Sequence, residues 1–147
     1  MSSETRPYEN LSVVGAGAWG TALALVAARG QRNILLWALE PEVVREIGTI
    51  HTNGRYLPGI QLPANIVSTG DMAAAAQADA ILMVAPAQHL RRTLKNLRPY
   101  LKAGTPLVLC AKGIERGTGQ LLTEVLQAEV PDCEPAMLSG PSFARDV

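Results

Sequence analysis

Residues that cross-link small domains or bind metals are scarce in this chain. Its 147 residues include only two cysteines and two histidines. Cys110 and Cys133 do not form a C-x-x-C pair, so they indicate neither a disulfide framework nor a thiolate metal site, and we expect free thiols. His51 and His89 have no carboxylate or cysteine at a catalytic spacing and are predicted to lie at the surface. The sequence therefore predicts no metal site.

An excess of charge of one sign and long apolar runs are missing as well. Lysine and arginine together number 13, as do aspartate and glutamate, so the formal net charge is zero and attracts neither nucleic acid nor an anionic membrane. The longest apolar run, residues 22–28, is far shorter than the roughly 18 residues that span a bilayer, and residues 1–10 lack the apolar centre of a signal peptide. We expect a cytoplasmic protein without a nucleic-acid or membrane partner.

Apolar strand-like runs alternate with helical segments along the chain. Residues 1–10 are polar and are expected to form a flexible N-terminal tail, whereas residues 11–147 suffice for one domain with a buried core. Strands are predicted at residues 11–14, 34–37, 65–69, 80–84, 107–111 and 136–138, with helices between most of them and residues 51–63 as a loop. This alternation predicts an α/β, doubly wound, Rossmann-type domain with a mostly parallel sheet.

A Gly-x-Gly-x-x-Gly motif, GAGAWG, lies between the first predicted strand and the first helix. Gly15 permits the tight turn, Gly17 lets a pyrophosphate approach the backbone, and Gly20 lets the helix pack closely on the strand. Free N–H groups and the positive end of the helix dipole then face the anion. Glu40 lies twenty residues after Gly20, where a carboxylate can accept hydrogen bonds from an adenosine ribose. The motif and Glu40 together predict a dinucleotide site.

Further candidate residues follow the fourth and fifth predicted strands, because ligands of open parallel sheets bind at the carboxyl ends of the strands. Pro86 lies in a small-residue segment that suits a flat ring or a ribose, and an ordinary strand-to-helix turn explains it equally well. Lys112 follows a buried strand, where it holds a phosphate or polarises a carbonyl in one interpretation and pairs with Glu115 in solvent in the other. Both alternatives stay open.

Three other segments each have two interpretations. The small residues of segment 139–144 suit an anionic substrate group or form a domain-exit turn. Residues 51–59 line a site or, as we favour, form an ordered surface loop anchored by Tyr56 and Leu57. A solvated helix face is favoured over a phosphate-binding face for the basic stripe Arg91, Lys95, Arg98 and Lys102.

Five segments carry a family resemblance. They are GAGAWGTALA at residues 15–24, LW at 36–37, residues 53–59, AKGIE at 111–115 and LSGPSFA at 138–144. In this order they resemble the amino-terminal domain of the NAD(P)-dependent glycerol-3-phosphate dehydrogenase family. The resemblance covers residues 11–147 and implies an oxidoreductase that interconverts dihydroxyacetone phosphate and sn-glycerol 3-phosphate, a precursor of glycerophospholipids.

The resemblance also implies roles for single residues. In the pyrophosphate loop it makes Ala18 and Trp19 cofactor contacts, and it places Leu39 near the adenosine ribose. Lys112 is expected to contact both cofactor and substrate. The remaining expected contacts are Ala144 for the cofactor, and Gly140 and Ser142 for the substrate.

Residue 39 departs from the pattern of many bacterial family members, which carry a histidine or arginine able to hold the 2′-phosphate of NADP. Leu39 cannot bond a phosphate, and Glu40 repels one. We therefore expect NAD rather than NADP as the cofactor.

The chain stops at Val147, where the family continues into a helical domain that carries the catalytic lysine. The resemblance therefore implies a truncated enzyme with no catalytic residue of its own, inactive alone, from a homodimeric parent. Two alternatives are a related 6-phosphogluconate-, ketopantoate- or opine-type dehydrogenase and a noncatalytic nucleotide-sensing module.

Overall fold

A six-stranded parallel sheet with helices on both faces forms the domain. The computed structural model describes residues 7–140, 144, 146 and 147. The strands are β1 (Asn10–Val14), β2 (Asn33–Trp37), β3 (Thr52–Asn53), β4 (Leu57–Gln61), β5 (Ile66–Thr69), β6 (Ala80–Met83), β7 (Pro106–Leu109) and β8 (Glu134–Met137). The helices are α1 (Ala18–Arg29), α2 (Pro41–Ile50), α3 (Met72–Ala75), α4 (Leu90–Leu97) and α5 (Leu122–Glu129).

The strand order of the large sheet is β5-β2-β1-β6-β7-β8, and every neighbouring pair is parallel. The chain winds outward from β1 to β5, then returns to β6 beside β1 and winds the other way. This is the doubly wound dinucleotide-binding order, with its switch point between β1 and β6. The predicted fold class is confirmed.

Two apolar layers hold the helices against the sheet. Val13 and Val14, adjacent in β1, point to opposite faces because side chains alternate along a strand. Val13 packs with apolar residues of α1 and α2, and Val14 packs with those of α4 and α5. Both layers consist of buried side chains with partly buried apolar residues packed against them, so the carboxyl ends of β1 and β6 are supported by a close-packed core.

The segment predicted as a loop at residues 51–63 contains an antiparallel pair, β3 with β4. Helix α2 ends at Ile50, and the left-handed backbone of its C-cap residue His51 (φ 55°) turns the chain back. The His51 carbonyl accepts a hydrogen bond from the Leu62 amide at 2.7 Å. Both strands are short, and β4 contains Pro58 and Gly59. Because proline and glycine are uncommon inside strands, the sequence pattern predicted a loop here. Leu57 is buried, as the predicted anchor of this segment.

Several element ends differ by a few residues from the predictions. Strand β1 begins at Asn10, whose backbone N–H donates to the Asp79 carboxylate at 2.8 Å. Asp71 caps the start of α3, since its carboxylate accepts a hydrogen bond from the Ala73 amide at 2.9 Å. Helix α4 ends at Leu97, and Pro99 lies in a separate 3₁₀ turn that follows it.

No helix in the described part of the chain is long and apolar enough to cross a membrane. Across the same residues, no three His, Cys, Asp or Glu side chains are grouped so that they could hold a metal ion. Both cysteines are buried free thiols.

Candidate functional site

The turn between β1 and α1 is built from three glycines with different constraints. Gly15 has a φ of +122°, and a Cβ there would lie 2.9 Å from the backbone carbon of Val84. A Cβ on Gly20 would lie 1.7 Å from the Gly15 carbonyl oxygen. Gly17 is different, because a Cβ there meets no atom of the described residues within 4 Å. The protein itself therefore requires Gly15 and Gly20, whereas Gly17 leaves open space above the loop.

Helix α1 begins inside this motif. Gly17 is its N-cap, with an extended backbone and no capping side chain, and Ala18 and Trp19 form the first turn. The first-turn N–H groups of a helix have no partner within the helix, and the helix dipole adds partial positive charge. With no acidic residue in its first turn, α1 presents an anion-binding end at the carboxyl edge of the sheet.

A cleft of about 390 Å³ opens on one side of this loop. Glu40 and Tyr56 lie on its wall, and the Tyr56 hydroxyl donates a hydrogen bond to the Glu40 carboxylate at 2.5 Å. Leu39, which is 69% exposed, presents an apolar surface to the same space. The other lining residues are Gly15, Gly17, Trp37, Met72, Val84, Ala85, Pro86, His89, Arg92, Thr93 and Asn96.

The Glu40 carboxylate is kept ionised by its neighbours. The hydrogen bond from Tyr56 holds the pKa of Glu40 below its ordinary value, and the positive charge of Arg55 acts in the same direction. Arg55 lies over the Tyr56 ring, 5.3 Å from its centroid, and pairs with Glu42 at 3.0 Å. The wall of this cleft therefore carries a fixed negative charge at neutral pH.

A wider cleft of about 710 Å³ opens on the other side of the loop. Trp19 lines its α1 side, and Lys112 lines the side formed by the end of β7. The Lys112 ammonium donates to the Gly140 carbonyl at 2.6 Å, so the residues that follow β7 and β8 meet here. The other lining residues are Leu23, Val26, Val84, Ala85, Pro86, Ala87, Cys110, Ala111, Leu138, Ser139 and Val147.

The two clefts share the wall that follows β6. Val84, Ala85 and Pro86 line both of them, and the glycine loop lies between. This arrangement fits an extended dinucleotide, with its anionic centre at the start of α1 and one ring system in each cleft. Most of the predicted contacts are thus brought together: Gly15, Gly17, Leu39, Glu40, Trp19, Pro86, Lys112 and Gly140.

Two predicted contacts are placed less directly. Ala144 is one of the described residues and is half-buried. Its contact with a cofactor stays a prediction. Ser142, predicted to contact the substrate, lies outside the described residues.

The alternative interpretation of Lys112, a solvent pair with Glu115, is wrong. Glu115 is held instead by Arg91, whose Nε and Nη2 donate to the two carboxylate oxygens at 2.8 and 2.9 Å. Arg91 also donates to Glu129 at 2.5 Å and to Gln120 at 2.6 Å. The Arg91 guanidinium lowers the pKa of Glu115 to about 2.

The prediction of a solvated stripe is therefore wrong for Arg91. The other three residues of the stripe, Lys95, Arg98 and Lys102, are exposed. The Arg91 side chain is 26% exposed and joins α4 to α5 and to the loop that follows Lys112. Gln88 holds the same loop, since it donates to the Ile114 carbonyl at 3.0 Å and accepts the Arg116 amide at 2.9 Å. A basic side chain at helical spacing gave no signal of this network.

Comparison with known proteins identifies the family. The model of the NAD-dependent glycerol-3-phosphate dehydrogenase N-terminus matches residues 10–147. The chain belongs to this family. A glycerol-3-phosphate dehydrogenase [NAD(P)+] of Parvibaculum lavamentivorans is 55% identical over 143 residues, which cover 97% of this chain and 43% of that protein. The enzyme of the same name from Hyphomonas neptunium is 50% identical over 143 residues, with the same coverage of both chains.

Solved structures agree with this membership. A glycerol-3-phosphate dehydrogenase of Coxiella burnetii matches with a TM-score of 0.89 and 33% identity over 96% of this chain and 43% of that chain. The Saccharomyces cerevisiae enzyme matches with a TM-score of 0.86 and 30% identity, over 96% and 44% of the two chains. A ketopantoate reductase of Ralstonia eutropha, 20% identical with a TM-score of 0.68, shares the fold alone.

The chain spans less than half the length of these relatives, and it corresponds to their cofactor-binding half. The family model and the names of the relatives assign NAD or NADP as the cofactor. The open space at Gly17 and the uncapped start of α1 fit the pyrophosphate of either nucleotide.

Proposed function

We propose that this domain is the cofactor-binding half of an enzyme that transfers hydride between NAD(P)H and dihydroxyacetone phosphate to give sn-glycerol 3-phosphate. The observation that carries the proposal is Lys112 at the rim of the wider cleft, hydrogen-bonded to Gly140, within a chain of this family. The whole protein is proposed to be a cytoplasmic homodimer that acts on a small molecule rather than on nucleic acid or a membrane.

The nicotinamide cofactor supplies the hydride when it is bound. The first-turn amides of α1 hold the pyrophosphate, and Gly17 lets it approach. The wider cleft is lined by Trp19, by Pro86 and by the residues that follow β6. These residues would exclude water from one side of the nicotinamide ring. Lys112 places a positive charge beside the substrate, where it stabilises the charge that develops on the carbonyl oxygen.

A proton donor for the forming alkoxide is proposed to come from the part of the enzyme beyond this domain. Of the described residues that line the wider cleft, Cys110 and Lys112 have titratable side chains. Burial raises the pKa of the Cys110 thiol to about 11, so it stays protonated and is a poor acid at neutral pH. Lys112 is used for charge and position. The 147-residue chain alone is therefore proposed to be inactive.

Activity of a chimaera tests this proposal. Joining residues 1–147 to the remainder of the Parvibaculum relative is expected to give oxidation of reduced cofactor that depends on dihydroxyacetone phosphate, whereas the 147-residue chain gives none. Lys112→Met in the chimaera is expected to lower kcat/KM by about a hundredfold, because a charge beside the developing oxyanion is lost. Lys102→Met, at an exposed position in the same half, is the matched control.

Two outcomes would contradict the proposal. One is substantial turnover of dihydroxyacetone phosphate by the 147-residue chain. The other is a chimaera that binds NADH but reduces ketopantoate or another keto acid in place of dihydroxyacetone phosphate. A folded chain that binds nucleotide while the chimaera shows no activity on any of these substrates would favour a nucleotide-sensing module.

We also propose that the domain prefers NAD to NADP. The ionised Glu40 and the apolar Leu39 line the cleft expected to hold the adenosine ribose, where a 2′-phosphate would meet the negative charge of Glu40. Arg55, the cation beside Glu40, is already paired with Glu42. Glu40→Gln is expected to raise the affinity for NADPH relative to NADH by about tenfold, because the repulsion is removed. Dissociation constants for both nucleotides, measured by calorimetry, test this.

Glu46→Gln is the matched control for Glu40. The Glu46 carboxylate also holds the β3–β4 segment, by accepting from Thr52 at 2.8 Å and from the Gly54 amide at 2.6 Å. The Glu46→Gln variant is expected to leave the ratio of the dissociation constants for NADH and NADPH unchanged. Tighter binding of NADPH than of NADH by the unaltered chain would refute the preference.

A further inference from the structure

We infer that Asn53 is a positioning residue for the pyrophosphate loop. Asn53 lies in β3, far from the glycine motif in sequence, yet its side chain contacts that motif. The residue is only 1% exposed. Its amide donates to the Ala16 carbonyl and to the Thr21 hydroxyl, each at 2.9 Å. The inference rests on nucleotide binding by this loop and adds to it the residue that orients the loop.

The hydrogen bonds form a chain that ends on the loop. Thr21, which is fully buried, accepts from Asn53 and donates from its hydroxyl to the Gly17 carbonyl at 2.8 Å. The Thr21 amide donates to the same carbonyl at 3.0 Å. Both carbonyls at the tip of the turn, those of Ala16 and Gly17, are thereby held toward the interior of the protein.

Carbonyl direction determines where the following amides point. In a trans peptide unit, the C=O of one residue and the N–H of the next point in opposite directions. With the Ala16 and Gly17 carbonyls held inward, the N–H groups of Gly17 and Ala18 face outward, toward the space where a pyrophosphate is expected. An outward N–H that needs no reorientation on binding is pre-organised for an anion.

The donor role of the Asn53 NH₂ group is fixed by its partners. The Ala16 carbonyl can only accept a hydrogen bond, and the Thr21 hydroxyl already donates its proton to the Gly17 carbonyl. The Asn53 group that faces the Ala16 carbonyl and the Thr21 hydroxyl must therefore be the NH₂. The Asn53 side-chain oxygen, in contrast, is buried and has no hydrogen-bond partner among the described residues. A buried unpaired oxygen costs stability. We therefore attribute the role of Asn53 to its NH₂ donor and not to its side-chain oxygen.

Asn53→Asp removes the donor at nearly constant volume and sets an oxygen against the Ala16 carbonyl. We expect the dissociation constant for NADH to rise at least about tenfold in the folded chain, since the loop amides lose their fixed orientation. Asn65→Asp is the matched control. Asn65 donates to the Ala28 and Arg32 carbonyls, both at 2.9 Å, at the opposite end of α1. It is expected to lower thermal stability and to leave the NADH affinity of the folded chain within twofold.

A second pair of variants keeps the test decisive if Asn53→Asp fails to fold. Thr21→Val removes the hydroxyl at constant shape, whereas Thr21→Ser keeps it. We expect Thr21→Val to weaken NADH binding by at least about tenfold and Thr21→Ser to retain the wild-type affinity. Equal NADH affinities for Thr21→Val and Thr21→Ser would overturn the inference. So would an Asn53→Asp variant that binds NADH like the wild type, or an Asn65→Asp variant that weakens NADH binding as much as Asn53→Asp does.

The outcomes separate this inference from the proposed function. If Asn53→Asp changes nothing while the chimaera reduces dihydroxyacetone phosphate, the role of Asn53 fails and the proposed function stands. If the chimaera is inactive while NADH binding depends on Asn53, the proposed activity fails and the role of Asn53 stands. An unaltered chain that does not bind NADH would overturn both.

Discussion

Replacing Gly17 by valine is expected to weaken NADH binding by at least about a hundredfold in a chain that still folds. The backbone of Gly17 is extended, with φ −69° and ψ −174°, a conformation that valine adopts readily. Within the part of the chain that the structure describes, a Cβ there meets no atom within 4 Å. The new methyl groups instead fill the space that the pyrophosphate needs. Nucleotide titration calorimetry measures the affinity, and circular dichroism verifies the fold.

Gly20→Ala is the counterpart, with the opposite expected outcome. Its Cβ would lie 1.7 Å from the Gly15 carbonyl oxygen, so helix and strand must separate, and we expect a chain that melts far below the wild type or does not fold. Equal NADH affinity in the Gly17→Val variant and the wild type would show that the nucleotide does not approach this loop.

Removing the Arg91 side chain is expected to cause the largest loss of stability outside the glycine loop. Arg91→Met leaves the partly buried carboxylates of Glu115 and Glu129 without their cation, and breaking such a network is strongly destabilising. We expect the melting temperature to fall by about 10 °C. Arg92→Met, at the neighbouring exposed position, is expected to change it little.

Acid sensitivity gives a second readout of the same network. Because the folded-state pKa of Glu115 is depressed to about 2 from 4.5, its contribution to stability is present above pH 4.5 and is lost as the pH falls toward 2. Arg91→Met is expected to lose this part of the acid dependence. A variant with the melting temperature and acid profile of the wild type would contradict the account of Arg91.

The cofactor loop could be predicted from sequence because its requirements are local. Gly15 and Gly20 are imposed by contacts within one strand-turn-helix unit, and alternating strands and helices leave few other topologies. Glu40 was identified because its distance from the motif follows from the length of one helix and one strand. Residues of this kind carry their function at a fixed spacing.

Asn53 and Arg91 could not be predicted because their roles depend on distant partners. Asn53 lies in a stretch with Gly54, Pro58 and Gly59, where an asparagine is typical of an exposed turn. Its burial arises only when the β3–β4 segment folds against α1. Arg91 occupies a helical spacing shared with exposed lysines, and its three partners come from α5 and from the loop after Lys112.

Nuclear magnetic resonance of the 147-residue chain during NADH titration tests the central claim most directly. The account predicts the largest amide shift changes at residues 15–20, 39–40, 84–85 and 112, the carboxyl edge of the sheet. A third cavity, lined by Asn10, Asn65 and Gln77 among others, opens away from that edge and serves as an internal control. Shift changes concentrated there, with the glycine loop unchanged, would contradict the account.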